Sequence, residues 1–207
     1  MTLNEMILDV KNRLDEDPDD TELDAVITVW LNEASLHVAV ELEDLEDTDT
    51  QNILASQSDY DLPSDFLRLE QAIYNGVFLK PISREELKRY AGTANPVTSQ
   101  TGTSEYCYLR ANSIWLFPAP ASALTSGLEL WYYKKPAALS AEVECEHDSS
   151  LHHLLPLYAT FLGFQKNLDT REAQTFKGYF EEGLMKAREF LSVGDRIELG
   201  QIYDPGD

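Results

Sequence analysis

The sequence predicts an α+β protein: a helical core assembled from both ends of the chain, with a small antiparallel β region inserted between them. Three observations carry this reading. Apolar residues recur at helical spacing near both ends. The middle carries an Asn-Gly hairpin turn and runs of alternating, aromatic-rich residues. The 43% hydrophobic and 10% aromatic content of the 207 residues suits one sizeable core.

The N-terminal helix is predicted over 3–14. Thr2 and Glu5 form a capping box, and Leu3, Met6, Ile7, Val10 and Leu14 follow on one face. "DEDPDD" ends it. Thr21 with Asp24 suggests a second cap, and Leu23, Ile27, Trp30, Ala34, His37 and Glu41 define a helix over 22–44 that packs back on the first. These acidic helices make up a segment 1–50.

The pattern changes over 51–148. Asn75-Gly76 between "LRLEQAIY" and "VFLKPI" is a type I′ hairpin signal, because both turn positions want positive φ. Ser83 and Glu86 cap a short helix, and 91–103 reads as an exposed loop. "EYCYLRANSIWLFPAPA" reads as two strands around Ala111-Asn112-Ser113, and "GLELWYYKKP" as another. In that last strand Leu128, Leu130 and Tyr132 share one face, and Glu129, Trp131 and Tyr133 the other. Aromatics on both faces imply that the second face is also covered, by a neighbouring element or a neighbouring subunit.

Segment 149–192 completes the helical core. Ser149 or Ser150 caps an all-round apolar helix, in which Pro156 either introduces a kink or sits in a late first turn. A second helix near 170–192 is amphipathic, through Ala173, Phe176, Phe180, Leu184, Ala187 and Leu191. A tail, 193–207, carries Ile197, Leu199, Ile202 and Tyr203. These four either anchor a partner surface or pack back on their own domain.

Charge is the loudest compositional fact. Sixteen bases against 37 acids give −21. Between Met1 and Asp59, 17 acids face two bases, which puts −15 there and leaves −6 elsewhere. Such a surface repels nucleic acid and anionic membranes, whose capture needs clustered Lys and Arg. Solubility or a salt-rich habitat is one reading of the acidity; a wall past which DNA moves without sticking is the other. Cys107 and Cys145 read as free thiols in a reducing cytoplasm.

A search for chemistry returns no G-x-S-x-G, P-loop, G-x-G-x-x-G or H-E-x-x-H motif, so neither catalytic residues nor a cofactor are assigned. The acidic run from Asp15 fails as an EF-hand, with Asp20 where glycine is needed and Val26 in place of the bidentate Glu. Cys145, His147, His152 and His153 match no familiar zinc spacing, and adjacent helical histidines point roughly 100° apart. No metal site is assigned.

Over about 1–192 the chain resembles the head-to-tail adaptor (connector) proteins of tailed bacteriophages and prophages. The specific pieces are "DLPSDFLR" before the Tyr-Asn-Gly turn, and "PAP" followed by "LELWYYKKPAALS" ahead of a His-containing helix. The resemblance implies a structural virion protein at the head–tail junction, made in the host bacterial cytoplasm. It implies a ring, usually a dodecamer, beneath the portal, extending the channel by which DNA leaves. Portal protein, tail or neck proteins and further copies of itself are the implied partners, with no membrane and no cofactor. The alternatives are another neck or tail-completion component, or a cytoplasmic binding module. Within the ring reading, Trp131 and Tyr133 are candidate subunit contacts, and Ile197, Leu199, Ile202 and Tyr203 candidate portal or neighbour contacts. Asp15, Asp17, Asp19, Asp20, Glu43, Asp44, Glu46 and Asp47 are candidates for an acidic channel or rim.

Overall fold

The structure, a computed structural model, describes residues 1–91, 100–141 and 143–201. Among these it forms five helices and ten strands, 40% helix against 28% strand. The strand share corrects the expected fold. A helical core with only a small β insert does not describe this chain, whose β region is a unit with its own core. Contacts divide the chain into Met1–Leu45 with Lys135–Asp207, and Glu46–Lys134.

The helical unit begins with α1 (Leu3–Leu14), capped as expected: Glu5 N–H donates to Thr2 Oγ1 at 3.3 Å, and Thr2 N–H donates to the Glu5 carboxylate at 2.7 Å. Asp15 closes it in the left-handed region at φ 59°. Lys11, on the buried side, donates to the carbonyls of Pro18 and Asp20 at 3.0 and 2.5 Å and pairs with Asp24 at 2.6 Å. Asp24 thereby ties the α1 face to the start of α2 (Asp24–Leu42). The expected Thr21 cap does not form; Leu23 is the N-cap and no side chain caps it. Helix α2 is long and apolar enough to cross a membrane by length and composition alone. In this fold Ile27, Leu31, Ala34 and Val38 are fully buried in the helical core.

Two more helices close the unit. In α4 (Leu154–Lys166), Pro156 lies in the first turn, where its missing N–H costs nothing, and neither Ser149 nor Ser150 is the cap. Helix α4 packs on α1, α2 and α5 (Thr170–Gln201). Its Gly163 allows that approach: a Cβ there would meet Leu14 at 2.8 Å and Trp30 at 3.3 Å. Helix α5 buries Ala173, Phe180 and Leu184, and it continues to Gln201, beyond the end expected near residue 192. His37 packs edge-on to Tyr158 and Phe180, with ring centroids at 5.0 and 5.4 Å.

The connection before α4 is pinned by buried polar contacts. Leu139 N–H donates to Asn32 Oδ1 at 2.6 Å. The His147 ring is buried between the Asp44 carboxylate, 2.7 Å from Nδ1, and Ser35, whose hydroxyl and carbonyl lie 2.9 and 3.1 Å from Nε2.

The β unit is two packed four-stranded sheets. In the first, β1 (Glu46–Ile53), β10 (Leu124–Lys134), β3 (Phe66–Tyr74) and β4 (Val77–Phe78) run antiparallel in that order. In the second the order is β2 (Asp59–Asp61), β8 (Ser113–Phe117), β7 (Tyr106–Arg110), β5 (Lys80–Pro81), with β5 parallel to β7. A short parallel pair joins β6 (Thr101–Gly102) to β9 (Ala119–Pro120). Ile53, Tyr74, Ile114, Leu116, Leu128 and Leu130 belong to the shared core. Asn75 and Gly76 take φ 48° and 77°, the type I′ turn expected between β3 and β4. The longest strand missing from the sequence reading is β1. "EDTDTQNI" has no apolar alternation, and only Ile53 is buried; its ladder lies on β10, with Glu46 opposite Tyr133 and Ile53 opposite Leu124.

Replacing His147 by Ala leaves the buried Asp44 carboxylate without its partner. The expected loss is about 1–3 kcal/mol of unfolding free energy, measured by urea denaturation; a loss under about 0.5 kcal/mol would show that the contact holds nothing.

Candidate interaction surfaces

Strand β10 gives the β unit two chemically different surfaces, because successive side chains of a strand point to opposite sides. Leu128, Leu130 and Tyr132 enter the core at 0, 0 and 4% exposure. The Tyr132 ring stacks on Phe66 at 5.7 Å, and its hydroxyl donates to Asp65 at 3.1 Å. Burial, and then the Asp65 carboxylate, hold that hydroxyl protonated well above the usual phenol range.

The outward set is Glu129, Trp131 and Tyr133. Trp131 is 37% exposed, and its indole N–H donates to the Glu129 carboxylate at 2.6 Å, which fixes the ring. Phe78, 61% exposed, meets Trp131 edge-to-face at 6.2 Å. The Arg68 guanidinium lies 4.9 Å over the Tyr133 ring. Beside Trp131 a shallow cavity of about 300 Å³ is lined by Glu46, Asp47, Thr48 and Glu70. Phe78, Arg68 and Glu70 were not singled out by sequence; the Asn75-Gly76 turn, which folds β4 onto β3, was the available signal for Phe78.

The second sheet is treated differently. Its outward aromatics Tyr108 and Phe117, with Tyr106 and Trp115, cluster with Leu87 of α3 (Arg84–Ala91). Ser83 caps α3: Glu86 N–H donates to Ser83 Oγ at 3.2 Å, and Ser83 N–H donates to the Glu86 carboxylate at 2.8 Å. One outer face is thus covered by its own helix, while the other shows Trp131 and Phe78 to solvent.

The candidate acidic residues fall into distinct environments. Asp17, Asp19 and Asp20 are exposed in the α1–α2 turn, where Asp17 accepts from Asp19 N–H and Asp20 from Glu22 N–H, and Asp15 is the α1 cap. Glu43 closes α2 at φ 54°. Asp44 leaves the set: its side chain is 5% exposed and hydrogen-bonded to His147, so it presents no charge to a rim. Glu46 and Asp47 are exposed at the start of β1, Asp47 lying 3.6 Å from Lys134.

Ile197 and Leu199 lie on the backbone of α5; Ile202 and Tyr203 lie outside the described residues. Cys107 is a buried free thiol whose pKa burial pushes up to about 11, and Cys145 is half-buried. His152 is buried, with its ring nitrogens on the Met1 amine and the His147 carbonyl, while His153 is exposed. No group of three or more His, Cys, Asp or Glu side chains among the described residues could hold a metal ion.

Two outer faces of unlike chemistry are therefore what the β unit offers, and the helical unit carries a cavity of about 400 Å³ lined by Thr2, Glu5, Glu144, Cys145 and His152. The family model of the SU10 adaptor protein matches residues 1–198, and the chain belongs to that family, a family of phage head–tail adaptors. It is a structural adaptor protein of bacteriophage, a virion component that associates with other head or tail components. A search of curated proteins finds no match.

Neighbouring substitutions on β10 separate its two faces. Leu130→Ala is expected to cost about 2–5 kcal/mol. Trp131→Ala is expected to cost under about 1 kcal/mol, since its ring is already partly in water. Urea denaturation of both variants measures the contrast, and equal losses would mean that Trp131 serves the fold and not a surface.

Proposed function

We propose that the protein forms a ring beneath the portal, joins the phage head to the tail and lengthens the channel through which DNA leaves. Membership of the adaptor family over 1–198 carries this reading. The ring, a dodecamer by resemblance to such adaptors, is built by repeated contacts between different patches of neighbouring copies, a heterologous arrangement that closes when the rotation allows. Trp131 and Tyr133 supply one such patch. Ile197, Leu199, Ile202 and Tyr203 supply contacts to portal or neighbour. The protein is made in the host cytoplasm and works at the head–tail junction without catalysis.

The acidity has a physical use in this setting. Asp15, Asp17, Asp19, Asp20 and Glu43 face the channel or its rim, with Asp47 at its border, while Glu46, beside Trp131, belongs to the contact between copies. A carboxylate wall repels phosphate over a screening length of about 8–10 Å at physiological salt. DNA then passes without the Lys and Arg contacts that would hold it.

Native mass spectrometry of the protein, alone and mixed with the portal protein of the same genome, tests the reading. The expected result is a discrete complex with a full ring of copies on one portal. A protein that stays monomeric and ignores the portal overturns the claim, and a complex formed with tail proteins only would make it a tail-completion component.

A further inference from the structure

The β unit presents two outer faces that differ in charge as well as in shape. Around exposed Trp131, the first sheet gathers Glu46 and Glu70, with Glu129 on the indole N–H, and Asp47 borders the cavity from the Tyr132 side. One base lies among them, Arg68 stacked on Tyr133, while Lys134 pairs with Asp47 on the Tyr132 side of the sheet. The other five bases between Glu46 and Lys134 belong to the opposite side: Lys80 in β5, Arg84, Lys88 and Arg89 in α3, and Arg110 at the end of β7. All five are exposed. Acids share that side, Glu85 and Glu86 on α3, Glu105 before β7, and Asp59 and Asp61 at the β2 edge. Glu86, though, is drawn into the Ser83 cap. Arg84 and Lys88 stand one helical turn apart and form no ion pair among the described residues.

We propose that these faces are partners between copies: the acidic, Trp131-centred face of one copy receives the Arg84–Lys88 side of α3 from the next. The inference rests on the ring reading above and names the surfaces that would build the ring. An exposed indole ringed by carboxylates suits a guanidinium or ammonium, which gains from the ring face and the acids together. Pairing the acidic face with itself would set Glu46, Glu70 and Glu129 against their own copies, so the favourable second copy is one that turns Arg84 and Lys88 toward them. Because the two faces lie on opposite sides of one sandwich, each copy uses both, and the contact propagates head to tail.

Charge reversal tests this. Glu46→Lys with Glu70→Lys alters one face, and Arg84→Glu with Lys88→Glu the other. Native mass spectrometry reads assembly, with portal protein added as template if the wild type needs it, and circular dichroism melts confirm that each variant folds. Each pair alone is expected to cut assembly at least tenfold, while an equal mixture of the two, or all four substitutions in one chain, restores it. Folded variants that assemble like the wild type, or a mixture that stays unassembled, overturn the pairing while a wild-type ring leaves the ring reading standing. If the variants ring normally but lose the portal, the acidic face belongs to the portal and the pairing falls. If the wild type forms no ring on the portal, the ring reading fails and the pairing with it.

Discussion

One strand has to satisfy two surfaces at once, and the β unit depends on how it does so. Strand β10 is bonded along its length on both sides, by β1 and by β3. That position fixes its alternation. Leu128, Leu130 and Tyr132 must fill the space between the sheets, so Glu129, Trp131 and Tyr133 must face away. A one-residue slip would reverse every one of these assignments. The same register sets Glu46 opposite Tyr133 and Thr48 opposite Trp131 on the outer face, and turns Asp47 and Asp49 to the side of Tyr132 and Leu130.

The acidic excess is a set of separate local solutions. Asp15 and Glu43 are helix caps in the left-handed region, Asp24 offsets the buried Lys11, and Asp44 is consumed by His147. The exposed remainder in the α1–α2 turn and on β1 is held by backbone hydrogen bonds and by Lys134, which order the carboxylates without removing their charge. The positive charge of the β unit, by contrast, is concentrated around α3.

Local signals were legible wherever a residue acts on its near neighbours. The Thr2–Glu5 and Ser83–Glu86 capping boxes, the Asn75-Gly76 turn and the two faces of β10 all stand in the sequence and in the fold. What was misread depends on partners far along the chain. Strand β1 is polar and acidic, and it exists because β10, some 80 residues later, supplies its ladder. Its omission, with that of two- and three-residue strands too short to show a period, made a two-sheet unit look like a small insert. Thr21 looked like a cap, but Lys11 draws Asp24 into another contact. Asp44 looked like one more solvated acid, because the histidine that buries it is 103 positions away. Of the outer face, Trp131 and Tyr133 were visible by alternation alone, whereas Phe78, Arg68 and Glu70 reach it through strand pairing.

Whether the Trp131 face is a contact between copies in a ring is decided by a cryo-electron microscopy reconstruction of the protein assembled on its portal. The expected reconstruction is a closed ring beneath the portal in which every Trp131 is buried against α3 of the adjacent copy. A reconstruction with a single copy bound, or with Trp131 facing solvent in a closed ring, would contradict it.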